Sequence, residues 1–302
     1  MQNILYITQS QNLYVVQAWH LFQQALAEAA HVVVWRQGGS IQSILAQLSF
    51  QPDFILLHMP SFARTPHVTG LRGIAIPIGV YFEDIHQCPA YFSRFVRANN
   101  IGTVFCPYRH QFHKFLPDLV DRFYWLPHCV DPGIFRDYKL GKSIELLLMG
   151  FVHQQAYPFR AAVLSRFTGQ PGFVYHAHPG YIDCDANDPQ AYVGVKYAQE
   201  LSRAKILATC GGRWHYPVLK FFEASACLTS VLAPAGPDLP DLGFRDGDTY
   251  IECSIDDLAE KVAYFIGHEA ETAAIASRAR DLVVQRHSVQ KRVQELVAYL
   301  GH

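Results

Sequence analysis

The sequence predicts an α/β protein made of two successive doubly wound parallel sheets. Three observations predict it. Short apolar runs rich in branched residues alternate with helical spacing over residues 3–106, the alternation breaks over 127–143, and it resumes at 144. These runs are continuously apolar, as strands buried on both faces of a parallel sheet must be. The chain has 302 residues, 50% of them hydrophobic and 17% charged, so two separate cores can be filled.

In the first half, strands are expected at Asn3–Ile7, His31–Trp35, Asp53–His58, Ile74–Tyr81 and Thr103–Cys106. Tyr14–Ala30 has the spacing of an amphipathic helix. The stretch PHCVDPGIFRDYKLGKS (127–143) carries two prolines, two glycines and several charges, the composition of an interdomain connection. The second series places strands at Ile144–Met149, Phe173–Tyr175, Lys205–Ala208 and Thr229–Ala233. Helices are expected over Tyr157–Phe167, near Tyr192–Ser202 and from Pro217 onward, with a helical tail over Ile255–Leu300 broken near Gly267 and at His287–Ser288. The expected domains are 1–137 and 138–285, followed by a closing helix over 286–302. Ligands of open α/β sheets bind at the carboxyl ends of strands, where loops and helix starts collect.

Composition excludes several function classes. A net charge of −1 lacks the electrostatic footprint of a dedicated nucleic-acid binder. The seven cysteines are scattered singly with no CxxC, which suits reduced thiols in a cytoplasmic protein. MQNILYITQS has neither a basic leader nor a long apolar core, so it is expected to be a strand, and no apolar run reaches the ~20 residues of a membrane span. There is no GxGxxG and no P-loop, and TQSQNL after the first strand contains no glycine, which argues against a dinucleotide site or an NTPase.

Several strand ends carry candidate chemistry. YFEDIHQ (81–87) places Glu83, Asp84 and His86 after an apolar strand; Asp84 or His86 is a candidate general base or acceptor contact, although loop-end carboxylates also cap helices. MGFVHQQAYPFR (149–160) puts Gly150 where a backbone can approach a ligand closely, with Arg160 as a phosphate ligand or a solvated first-turn residue. FVYHAHPGYI (173–182) runs a strand into a loop where His178 or Tyr181 packs on a base, or which is a plain turn. IDCDAND (182–188) is a turn by composition, and a divalent-metal site only if its carboxylates converge.

HYPVLKFFEASAC (215–227) is the most informative stretch. Pro217 suits the first helical position, and Leu219, Phe222 and Ala226 make an apolar stripe. Lys220 and Glu223 are neighbours on an adjacent face. They are either a solvated ion pair or ligands: a lysine for a diphosphate at a helix start, and a glutamate for the two hydroxyls of a ribose.

The ordered set of LPHCVDPGIF (126–135), LLLMGFVHQQAYPFR (146–160), LSRAKILATCGGRWHYPVLKFFEASAC (201–227), DGDTYIECSIDDLAEKVAYFI (246–266) and RHSVQKRVQELVAYL (286–300) resembles the group 1 family of GT-B glycosyltransferases, most closely its spore-maturation (CgeB-like) branch. That resemblance implies two Rossmann-like domains facing a cleft. It implies metal-independent, retaining transfer of a hexose-type sugar from a nucleotide diphosphate-sugar, UDP- or GDP-linked, to a small-molecule, glycan or protein acceptor. No cofactor is implied, and the last helix would cross back to the first domain. By the resemblance Glu223 holds the donor ribose, and the 217–220 helix start takes the diphosphate. Retaining relatives carry an E-x7-E pair, whereas this chain has His215 at the first position. The basic pair that relatives place after Gly150 is also missing, leaving Arg160, Arg213 or Lys220 to supply the charge. A nucleotide-sugar epimerase on the same fold and a non-catalytic nucleotide-sugar binding protein stay open as alternatives.

Overall fold

The computed structural model describes residues 2–10, 13–59, 65–184 and 191–301. The chain divides into two compact units. One comprises Met1–Gln11, Trp19–Pro127 and Arg292–His302, the other Asn12–Ala18 and His128–Lys291.

In the first unit the strands are β1 (Asn3–Ile7), β2 (His31–Trp35), β3 (Gly39–Ser40), β4 (Phe54–Met59), β5 (Val68–Thr69), β6 (Ile78–Phe82), β7 (Thr103–Cys106) and β8 (Phe123–Trp125). Six of them form a sheet in the order β2-β1-β4-β6-β7-β8, parallel throughout, while β3 and β5 pair separately. Every residue of β4, β6 and β7 is buried, which is why apolar side chains dominate these strands, with His58 and Thr103 the polar exceptions. Trp19, Phe22 and Leu26 of the helix Ala18–Ala29 add a buried stripe at helical spacing.

Two expectations are corrected here. The helix expected from Tyr14 begins at Ala18, because Leu13–Val15 are used by the other unit: the Cys184 N–H donates to the Leu13 carbonyl (2.7 Å) and the Val15 N–H to that of Ile182 (3.1 Å). The strand expected from Ile74 begins at Ile78, since Pro77 has no N–H to give a ladder and serves only as an acceptor for Ile55 (2.9 Å). The aromatic triplet of β8 was not expected as a strand.

The second unit carries β9 (Ile144–Gly150), β10 (Phe173–Ala177), β11 (Ala204–Ala208), β12 (Ser230–Ala233) and β13 (Ile251–Glu252), a parallel sheet in the order β10-β9-β11-β12-β13. Strand order reverses between β9 and β11, so the chain opens a crevice at their carboxyl ends. The core gathers Leu146, Leu148, Ile206, Leu232 and Ile251 from the strands with Phe159, Val163, Val262 and Ile275 from helices. The helix Leu219–Ala226 buries Phe221 and Phe222; the Phe222 ring lies 5.6 Å from Phe244 and 5.2 Å from His287. The tail forms helices Leu258–Gly267, Glu269–Arg286 and Val289–Leu300, with breaks at His268 and His287–Ser288.

Phe222 is fully buried. Truncating it to alanine should cost about 3–5 kcal/mol, the range for emptying a packed phenylalanine site. Chemical denaturation should therefore show a lowered midpoint for Phe222→Ala with an unchanged slope.

Candidate functional site

The crevice of the second unit collects four of the candidate residues, Gly150, His178, Lys220 and Glu223, in one cavity. Met149 and Gly150 reach it from the end of β9, Ala177 and His178 from the end of β10, and Lys220 and Glu223 from the helix that follows β11. Val15–Ala18 form another wall, tied in place by the Tyr14–Asp183 bridge and by Val15 packing on Cys184, Ala191 and Val193.

Gly150 has a φ of +119°, and a Cβ there would stand 3.2 Å from Lys220 Cε and 3.4 Å from Arg160 Nη1. Only glycine lets the backbone lie this close to both cations. Arg160 is buried, contrary to the solvated alternative. It donates to the carbonyls of Cys210 (2.7 Å) and Phe151 (3.2 Å) and to the Thr209 hydroxyl (3.4 Å), and it stacks 4.3 Å over Tyr157. Its Nε has no hydrogen-bond partner, and among the described residues no carboxylate pairs with it.

Lys220 and Glu223 form no direct ion pair, so the solvated-pair alternative does not hold either. Burial pulls Lys220 down to about 8, with Arg160 pushing the same way and Glu223 opposing. Burial raises Glu223, against the pull of Lys220 and of the Tyr197 hydroxyl that donates to its Oε2 at 3.1 Å. Tyr197 itself is raised by burial and then by Glu223. His178 is lowered to about 4 by burial and by the cations Lys220 and Arg160, and is neutral at pH 7. Its Nδ1 accepts from the Gly180 N–H (3.0 Å), which leaves the ring proton on Nε2. Tyr181 is exposed, with its ring 4.8 Å from His178.

Pro217, Arg213 and His215 lie differently from expectation. The helix begins at Leu219 with Val218 as its N-cap, so Pro217 is a buried residue before the helix rather than its first member. Arg213 and His215 line a second cavity with Cys210, Gly211, Phe221 and Leu239. Leu219 faces the first cavity instead of the buried stripe.

Asp84 and His86 belong to the first unit. Both are half-buried after β6, and Asp84 accepts from the Gln87 amide (2.9 Å) while burial raises it to about 6. Their neighbour Glu83 accepts a hydrogen bond from the Trp19 indole. Burial, against that bond and with help from Asp84, pushes Glu83 up to about 8. Trp19 also packs on His58 (4.6 Å) and Tyr81 (4.1 Å), and burial lowers His58 to about 3. Trp19, Tyr197 and Val15–Ala18 were missed from sequence because each is far in the chain from the group it meets.

Asp185 and Asp188 of the possible metal cluster lie outside the described residues. Among the described residues no group of three or more His, Cys, Asp or Glu side chains could hold a metal ion, and no helix is long and apolar enough to cross a membrane.

Residues 174–298 match the glycosyl transferase-like family model. That span contains His178, Tyr181, Lys220 and Glu223. A search of curated protein sequences finds no match. Among solved structures, HepE from Anabaena in complex with UDP and glucose is similar at 14% identity and a TM-score of 0.63, with 100% of each chain covered. Sucrose-phosphate synthase from Thermosynechococcus elongatus is similar at 11% identity and a TM-score of 0.72, over 99% of this chain and 98% of that one. A glycosyltransferase from Rickettsia africae is similar at 10% identity and a TM-score of 0.62, over 99% and 97%. At these identities the likeness shows the fold: two Rossmann-like α/β units, the GT-B fold. It does not extend to the CgeB-like branch.

The Glu83 carboxyl has a folded pKa raised from 4.5 to about 8. The folded state therefore binds more protons than the unfolded state between those values, and its contribution to stability is lost as pH rises through about 8. Thermal denaturation should show the melting temperature falling from about pH 5 to about pH 8.5, and Glu83→Gln should flatten that fall.

Proposed function

We propose that this protein is a glycosyltransferase that moves a sugar from a nucleotide diphosphate-sugar, UDP- or GDP-linked, to a small-molecule, glycan or protein acceptor. The observation that carries this is a pair of cations, the buried Arg160 and the half-buried Lys220, beside Gly150 at the carboxyl ends of a parallel sheet. Among the described residues Glu223 is the one acidic side chain lining that cavity. Such a cation excess, taken out of water, costs several kcal/mol until an anion balances it.

In this reading the diphosphate lies against Gly150 and Lys220, with Arg160 contributing charge from below. Glu223 accepts hydrogen bonds from the two ribose hydroxyls, and Tyr197 holds its carboxylate in place. His178 and Tyr181 flank the base. The fold shared with HepE, which was solved with UDP and with UDP-glucose, supports the nucleotide assignment. The two cations balance the diphosphate without a metal, and a hexose is transferred with retention, as the resemblance implies. His215 takes the place of the first glutamate and positions the donor sugar. On the first unit Asp84, ionised at neutral pH, is the acceptor-side base, and His86 contacts the acceptor. Glu83 stays protonated and holds Trp19.

His215 in a position where relatives carry glutamate favours one second reading, binding of the nucleotide-sugar without turnover. Consumption of donor by the purified protein separates the two.

Calorimetry with UDP tests the assignment. Lys220 loses its proton as pH rises through about 8, so UDP affinity should fall between about pH 7 and pH 9. Lys220→Met should weaken binding at pH 7 by roughly tenfold, the worth of one charge-assisted hydrogen bond, and remove that pH slope. Glu223→Ala should weaken binding comparably. Untouched UDP affinity in both variants contradicts the assignment.

A further inference from the structure

The second cavity of the donor unit carries a charge pattern of its own. We propose that it holds the donor's sugar and selects a sugar bearing a carboxylate, an inference that rests on the nucleotide-sugar reading above. The two cavities share a wall. Arg160 donates to the carbonyl of Cys210, which lines the second cavity, while Lys220 faces the first and the adjoining Phe221 the second. A group esterified to a phosphate at Lys220 therefore has the second cavity on the other side of that wall.

Among the described residues Arg213 is the one charged side chain lining that cavity; His215 stands beside it, and no Asp or Glu joins them. A neutral hexose offers hydroxyls that need acceptors as well as donors, and an arginine has five donors and no acceptor. A carboxylate matches that planar fork in a bidentate pair. Arg213 is available for one: it is exposed, it makes no ion pair among the described residues, and its guanidinium is held 4.6 Å over the Trp214 ring.

His215 is fixed beside it. Its Nδ1 donates to the carbonyl of Ala235 (3.1 Å), because a carbonyl can only accept, and its Nε2 has no partner among the described residues. The backbone enforces this placement. His215 is left-handed at a φ of +55°, a conformation that costs a non-glycine residue free energy. The turn is wound so tightly that a Cβ on Gly211 would stand 2.1 Å from the Tyr216 carbonyl oxygen.

The test compares UDP, UDP-glucose and UDP-glucuronate by calorimetry on the whole protein and on Arg213→Ala and Arg213→Ala/His215→Ala. Arg213 is exposed, so its loss spares the core. UDP-glucuronate should bind roughly tenfold or more tightly than UDP-glucose, as one charge-assisted hydrogen bond allows. Arg213→Ala should bring the two sugars to within about threefold of each other. Equal affinity for both sugars in the unaltered protein, or a preference that survives the double variant, overturns the proposal while leaving the nucleotide reading intact if UDP itself binds. Failure of UDP and both of its sugars to bind overturns the nucleotide reading, and this proposal with it.

Discussion

The Arg160 guanidinium is buried with no carboxylate paired to it among the described residues, and the second unit is organised around that fact. A charge withdrawn from water is tolerated only if dipoles or an opposite charge replace its hydration. Here the carbonyls of Cys210 and Phe151 and the ring of Tyr157 do part of this. They fix the ends of the strands that carry the site, because Phe151 follows β9 and Cys210 follows β11. The guanidinium thus ties the two strands at which chain order reverses. Its unpartnered Nε and the depressed Lys220 are the remaining imbalance, which the proposed diphosphate would offset.

Backbone conformation and electrostatics are coupled at this point. Gly150 is left-handed beside both cations, so the closest approach is made by main chain rather than by a side chain. The helix Leu219–Ala226 is anchored by Phe221 and Phe222 in the core, which keeps Lys220 and Glu223 turned toward the crevice. Tyr197 restrains the Glu223 carboxylate from a different helix. The site is therefore made of side chains whose rotamers are set by packing, the arrangement that keeps a binding constellation preorganised.

Much of this was legible in the sequence, for identifiable reasons. Asn3–Ile7, His31–Trp35 and Thr103–Cys106 were legible with their observed bounds because each is a short run dominated by branched and aromatic residues, although His31–Trp35 is only partly buried. Glu223 and Lys220 stood out as two charges in an apolar helix. What was not legible depended on tertiary pairing. Leu13–Val15 has a helical pattern but forms backbone bonds with 182–184, far along the chain. Arg160 looked like an ordinary first-turn arginine, since nothing local signals that its turn is covered. Arg213 and His215 share a short stretch with Lys220 yet line another cavity, because the left-handed His215 turns the chain before the helix that carries Lys220.

The central claim is that the Gly150–Lys220–Glu223 crevice holds a nucleoside diphosphate. A crystal structure of the protein soaked with UDP tests it most directly. The account predicts diphosphate density against Gly150 and within hydrogen-bonding distance of Lys220 Nζ, with the ribose hydroxyls on the Glu223 carboxylate. UDP bound in an ordered way elsewhere, with Lys220 and Glu223 untouched, contradicts it.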